Sequence, residues 1–551
     1  MKEIEINFEG VKKIKCQKGT AILEALKSGG IEANTCAAVY VNNKAQALSA
    51  PLTFNSTIRQ IPIISKDGMQ IYRNTLAFLL FKAAKKVLLD KKEIFMGHSL
   101  GHAYYFAVTR KIKLSQDEID ALRDEVDRLI KADLSISYEY MNFDDAIKYF
   151  TASGQKDTVQ LLLQRSRWRI PVCECDGFSD LYTRPLLNRT SLLKAFDLMP
   201  YQHGFLLRLP AQNDITKLRP FEDSPKIFSI YSEYRKWGHI VGVYCVPQLN
   251  ALVQNRTIRD FININEAYQN KKLADIALLI AEKKDKLKVI LIAGPSSSGK
   301  TTTAKRLSIQ LRMLGINPIA ISLDDYYQHP SLAPKDENGQ PDLECLEALD
   351  VPYLNKQILD LLNGSEITLP IFDFKTGTRR DGKTIKLNSN DVLLLEGIHG
   401  LNDALTSKID HDTKFKIYVS ALTQMNIDEH IRVSTTDNRL LRRLVRDYNF
   451  RGSSASKTLS MWEGVQKGAE KHIFKFQNTA DAVFNSALDY EISVLRTYAE
   501  PLLRSVLPNT PEYAEALRLL TFIENFSGIP STFVPSQSIL REFIGDSEFK
   551  Y

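Results

Sequence analysis

The stretch most committed to chemistry is Gly294-Pro295-Ser296-Ser297-Ser298-Gly299-Lys300-Thr301, followed by Thr302. It fits the pattern G-x-x-x-x-G-K-[ST] in full. Glycines let the backbone wrap an anion, and successive N–H groups then point inward at a helix start. Lys300 has the reach for β- and γ-phosphates, and the Thr301 hydroxyl suits Mg²⁺. The spacing therefore predicts a nucleotide-binding loop with Mg²⁺ beside it; an ordinary Gly/Ser turn is the plainer alternative. Downstream, PIAISLDDYYQ reads as a strand ending in Asp324 and Asp325. In an open parallel sheet, ligands lie beyond the carboxyl ends of strands. An acid there could take a proton from an acceptor hydroxyl or help to hold Mg²⁺; the plainer reading is a turn-forming Asp pair. DVLLLEG ends in Glu396, an acid suited to a water-mediated Mg²⁺ contact. Along NRLLRRLVRDYNFRG, Arg439, Arg442, Arg443 and Arg446 recur at i, i+3, i+4 and i+7. They share one helical face, which could close over phosphates as a lid or simply be solvated.

These groups need elements to hold them. The apolar run KVILIAG predicts a strand entering the loop, and TTTAKRLSIQLRML a helix leaving it. Residues 286–490 alternate strand and helix, the pattern of an α/β fold with a parallel sheet. A linker helix is predicted over 251–285, and 491–551 reads as a helical extension. Residues 1–64 form a small unit: a hairpin from IEINF and KKIKC, a helix in TAILEALKSGG stopped by Gly29 and Gly30, then strands in VYVNN and TIRQIPII. That order suits a β-grasp fold. Residues 69–250 predict helices at 74–89, 115–131, 143–153 and 155–164, with strands in GFLLRLP and IVGVYCV, an α+β unit.

Composition sets outer bounds. The chain has 551 residues, 44% hydrophobic and 25% charged, which excludes a wholly disordered or fibrous protein. At roughly 150 residues per domain, three to four domains are expected. The balance of 72 Lys+Arg and 65 Asp+Glu gives +7, too mild to argue for nucleic acid. MKEIEINFEG lacks the pattern of a signal peptide, and runs such as LAFLLF are too short to cross a membrane. Six scattered cysteines read as reduced thiols, so a cytoplasmic location is expected.

Taken in order, GPSSSGKTT, LDDYY, DLECLEALD, PIFDFKTGTR, LLLEGI and NRLLRRLVRD make the chain resemble the uridine kinase and phosphoribulokinase family. The resemblance implies an ATP-dependent kinase acting on a nucleoside hydroxyl. Asp324 would match the family's catalytic acid, Tyr327 an aromatic lining the nucleoside pocket, and Glu344 the acid on the ribose hydroxyls. Arg439, Arg442 and Arg446 would be lid arginines. Phe372 and Arg379 fall in the acceptor-binding stretch. The family's Tyr-Asp-Phe is here Phe372-Asp373-Phe374, and Gly377 stands where a His is expected. Those polar groups help to read a pyrimidine, and a site without them loses discrimination. A sugar kinase like phosphoribulokinase is therefore the alternative acceptor reading.

GTAILEAL, AAVYVNN and TIRQI resemble the TGS domain of threonyl-tRNA synthetases, and residues 69–250 resemble the editing, or second additional, domain of the same enzymes. In MGHSLGHAYYFAV, His98 and His102 form H-x-x-x-H, expected on one face of a helix and usable as a metal pair. The editing run that supplies a Cys and a His is Leu181-Tyr182-Thr183-Arg184-Pro185-Leu186 here, so both are missing. No synthetase activation core follows. Three roles stand open for residues 1–250: binding RNA, sensing a small molecule, or holding a homo-oligomer. An RNA-linked regulator using the kinase fold as an ATP switch is the alternative from another class.

Overall fold

Strands of the carboxy-terminal half form one five-stranded sheet, ordered Asn317–Ser322, Asp391–Glu396, Val289–Ala293, Lys414–Ser420, Ala482–Asn485. Every neighbouring pair is parallel. Val289–Ala293 and Lys414–Ser420 are buried throughout, as strands covered on both faces must be. The molecule is described by a computed structural model covering residues 2–551, apart from 89–91, 109–112, 336–338, 340 and 374–375. Phe374 thus lies outside the described residues. Ala293, Ser322 and Glu396 are the carboxyl ends of their strands, so the loops after them gather on one edge of the sheet. Helices Lys300–Met313, Thr435–Arg451, Glu491–Arg504 and Tyr513–Ile523 supply much of the same core.

Residues up to Pro62 form a second sheet, ordered Lys12–Gln17, Glu3–Phe8, Ser56–Pro62, Cys36–Val41, Lys44–Gln46. Helix Ile22–Ser28 buries Ile22, Ala25 and Leu26 against Ile4, Ile6 and Phe8. The next element is helix Lys66–Val87, begun by Ser65, whose hydroxyl accepts the Gly68 N–H at 3.0 Å. It packs against a four-stranded sheet ordered Asp197–Tyr201, Gly204–Arg208, Ala103–Val108, Ile94–Leu100. The architecture is α/β with a parallel sheet, preceded by a mixed sheet and an α+β unit.

Amino- and carboxy-terminal halves are joined by polar contacts as well as apolar ones. Helix Lys156–Leu163 has no cap from its own N-cap residue. Its first amides, of Asp157 and Thr158, donate instead to the Glu429 carboxylate at 2.7 and 3.1 Å. Asn426 donates to the Met96 carbonyl at 2.8 Å, tying the segment after Lys414–Ser420 to strand Ile94–Leu100.

Four expectations need correction. His98 and His102 are not on a helix: His98 lies in strand Ile94–Leu100, and His102 sits in the hairpin turn with φ +64°. The i, i+4 spacing is produced by a tight Gly101-His102 turn between two strands. IVGVYCV is not a strand either, because helix Pro225–Val241 runs into it and stops at Gly242, whose left-handed φ of +75° closes the helix. Asp324 and Asp325 lie in a 3₁₀ turn, Leu323–Tyr326, just past their strand. After Tyr513–Ile523, the only α-helix among the described residues is the single turn Arg541–Ile544. Among the described residues no helix is long and apolar enough to cross a membrane.

Candidate active site

The loop 294–301 is built by close approach. A Cβ at Gly294 would lie 2.0 Å from the Val419 carbonyl oxygen, so only glycine lets the loop leave the sheet here. Gly299 takes φ +82° and opens helix Lys300–Met313. Ser297 is held at φ +61°, a left-handed conformation that costs a non-glycine residue roughly 1 kcal/mol or more. The loop is braced from behind: Ser298 N–H donates to Pro295 O at 3.1 Å, and Ser486 Oγ donates to Ser298 O. Thr301 Oγ1 donates to Glu396 Oε1 at 3.1 Å, which puts hydroxyl and carboxylate side by side.

An acid cluster faces this loop. Burial pushes the Glu396 carboxyl up to about 7, the Asp324 charge adds to it, and Lys300 opposes it. Burial also raises Glu344, with Arg443 and Lys300 opposing and Asp324 adding. Asp325 is raised by burial too, although it accepts the Phe372 N–H at 3.1 Å. Asp324 is thus the charge that Glu396, Glu344 and Asp325 all feel. Glu344 is seated on helix Ala455–His472, where a Cβ at Gly468 would lie 2.6 Å from its own Cβ.

Helix Thr435–Arg451 turns its arginines onto the loop and is no solvated basic helix. Arg439 Nε donates to Ser296 O at 3.0 Å and Arg443 Nη1 to Ser296 Oγ at 3.0 Å. Arg442, fully buried, is clamped by Glu491 at 2.5 and 2.9 Å and donates to Ser486 O at 2.8 Å. Arg446 leans on Asp447 at 3.4 Å. Among the described residues, several buried polar atoms around the loop have no hydrogen-bond partner: Arg439 Nη2, Arg446 Nε, and the hydroxyls of Ser297 and Ser298. Buried donors are normally satisfied, so this concentration fits an anionic ligand. A carboxylate already occupies the first turn of helix Lys300–Met313. Glu542 accepts from Thr302 N at 3.2 Å and from Thr302 Oγ1 at 2.7 Å. The helix start therefore accommodates an anion. The oxygen donors of Thr301, Glu396 and Asp324 likewise suit a hard cation such as Mg²⁺.

Of the residues expected to line an acceptor, Tyr327 donates to Leu343 O at 3.0 Å, and its ring lies 5.9 Å from that of Phe372. Arg379 is held by Asp350 at 2.8 Å, against the Tyr353 ring. Gly377 has φ +70°, and a Cβ there would meet Pro330 Cδ at 2.9 Å. His98 and His102 are elsewhere and have separate surroundings. The His98 ring stacks on Tyr231 with 5.7 Å between centroids, whereas His102 Nδ1 lies 3.2 Å from Arg219 Nη1. Among the described residues no group of three or more His, Cys, Asp or Glu could hold a metal. Glu491, Ser486 and Glu542 were not foreseen from sequence. No motif surrounds them, and their partners lie 49, 188 and 240 positions away.

Comparison with known proteins agrees with this geometry. The sequence profile of the Phosphoribulokinase / Uridine kinase family matches residues 289–493. A uridine kinase from Bacillus subtilis is 33% identical over 177 residues, 32% of this chain and 75% of the relative. A threonine–tRNA ligase from Francisella tularensis subsp. novicida is 25% identical over 166 residues in the amino-terminal region, 30% of this chain and only 26% of the ligase. A solved structure described as a possible uridine kinase from Bacillus stearothermophilus aligns over 39% of this chain and 100% of its own, at 22% identity and a TM-score of 0.26. With phosphate loop, acid cluster and arginine helix all inside the matched stretch, the chain belongs, through residues 289–493, to the phosphoribulokinase/uridine kinase family of P-loop kinases.

Proposed function

We propose that the chain transfers the γ-phosphoryl group of ATP to a hydroxyl of a nucleoside. The observation that carries this reading is the set of partnerless buried donors around residues 294–302, directly beside acids that share a common charge. The relatives named uridine kinases support the acceptor class.

In this reading Gly294–Thr302 cradle the triphosphate by backbone N–H groups, and Lys300 contacts the β- and γ-phosphates. Mg²⁺, held through Thr301 with Asp324 or Glu396, supplies neutralisation of the β- and γ-phosphate charge when bound. Asp324 accepts the proton of the acceptor hydroxyl as its oxygen bonds to the γ-phosphorus, while the bond to the β-phosphate oxygen breaks and ADP departs. Arg439 and Arg446, each with an unused donor, stabilise the charge on the transferring group. Arg442 works through position, since Glu491 and Ser486 hold it against the loop. Tyr327, Glu344, Phe372 and Arg379 line the acceptor. Phe372 and Gly377 offer no side-chain hydrogen bond to a base, which favours a phosphoribulokinase-like sugar acceptor as the second reading.

A panel of nucleosides and sugar phosphates, with ADP release as readout, separates the two. Lys300→Ala and Asp324→Ala each abolish turnover, and Asp324→Ala still binds ATP. Normal turnover by Asp324→Ala would remove that residue from its role.

A further inference from the structure

Away from the phosphate loop, the amino-terminal half, the segment 427–437 and residues 518–525 border a cavity of about 210 Å³. Rings of Phe81, Tyr104 and Tyr182 form part of its wall. Among the described residues, five arginines line it, against two aspartates. The carboxylates nearby are unevenly shared. Arg518 takes Asp437 at 2.7 and 2.9 Å and also Glu515 at 2.5 and 2.7 Å. Arg167 pairs with Glu524. Asp180 is engaged by His430 at 2.7 Å. Among the described residues, three guanidiniums are left without a carboxylate of their own. Arg184 reaches only the already shared Asp437, at 3.8 Å. Arg165 donates to the neutral Asn525 side chain. Arg432 has its Nη1 buried with no partner, and its guanidinium lies 5.2 Å from the Tyr104 ring centroid.

Groups around the cavity register this excess. Burial alone would raise the Tyr104 phenol, yet Arg432 and Arg73, with a hydrogen bond from Gln70 and the charge of Arg184, outweigh it and bring it below its ordinary value. An enclosed cation without a counter-charge is costly, and an anion arriving there recovers hydrogen bonds that the protein leaves unmade. A guanidinium fork matches phosphate geometry, and the flat rings opposite suit a planar apolar body.

We propose that this cavity binds a small organic phosphate with a flat apolar part, anchored by Arg432 and flanked by Arg165 and Arg184. It opens beside Ser434, which caps helix Thr435–Arg451 and so adjoins the element whose arginines hold the phosphate loop.

The test is a thermal-shift titration of the full chain with phenyl phosphate, inorganic phosphate and benzoate, with no nucleotide present. Phenyl phosphate should raise the melting temperature saturably and bind more tightly than either other probe. Arg432→Gln should weaken it by about tenfold or more, and Arg165→Gln several-fold, while Lys300→Ala leaves it unchanged. Unliganded Arg432→Gln should melt no lower than the parent, because the charge it removes has no carboxylate. Benzoate binding as tightly as phenyl phosphate would overturn the phosphate assignment. A shift lost in Lys300→Ala but kept in both arginine variants would place the anion on the phosphate loop and overturn the site, as would the absence of any saturable shift.

Discussion

If residues 294–302 cradle a triphosphate as proposed, Glu542 stands where an incoming phosphate would need to be. Its carboxylate takes both the backbone N–H and the hydroxyl of Thr302, at 3.2 and 2.7 Å. Nucleotide binding must displace it, so Glu542→Gln should tighten binding. The amide oxygen of Gln still accepts, so the substitution removes only the charge assistance of these bonds, about 1 kcal/mol at the half-buried Glu542. A negative charge at a helix start adds roughly 0.3–1 kcal/mol. About 1.5 kcal/mol in all corresponds to roughly a tenfold lower Kd. Calorimetric titration with a non-hydrolysable ATP analogue reads this directly. Glu548→Gln is the control: it lies in the same tail but bonds only Ser536 and Gln537, and it should leave the Kd unchanged. Unchanged or weaker binding by Glu542→Gln would show that the tail does not compete for the loop.

Arg442→Ala strands the buried Glu491 carboxylate and should cost about 3–5 kcal/mol, read as a lower denaturant midpoint. Asp428 is pushed up to about 7 by burial, with Asp180 and Glu429 adding and His430 opposing. Its neutral form therefore contributes stability below the ordinary carboxylate range, and this is lost as pH rises towards 7, by an amount on the order of 4 kcal/mol. Asp428→Asn, which keeps the acceptor for the His430 and Ile431 amides, should flatten that fall in melting temperature between pH 5 and 8. Gly468→Ala drives a methyl group against Glu344 Cβ at 2.6 Å; in steady-state kinetics it should raise the acceptor KM more than the ATP KM.

The parts of the site that sequence makes plain are those whose chemistry is local. Gly294 to Thr301 are contiguous, and the same eight residues form both the strand exit and the helix start. The arginine face was legible as a periodicity, yet the duties within it were not: Arg442 is committed by Glu491, 49 positions away, whereas Arg439 keeps a free donor. His98 and His102 misled because i, i+4 also spans a hairpin whose turn residue adopts a left-handed conformation. IVGVYCV misled because β-branched residues also end helices when a glycine follows in the chain. Glu542 carries no local signature, since its role exists only once the tail has folded back.

The carboxylate of Glu429 on the first turn of helix Lys156–Leu163 bears on how the molecule comes apart. Excising either half would bare two amides on one side and a half-caged acid on the other. Fragments cut between the synthetase-like and kinase-like portions should therefore lose order at their cut faces, and heat should dissolve both portions in a shared transition instead of two separate ones.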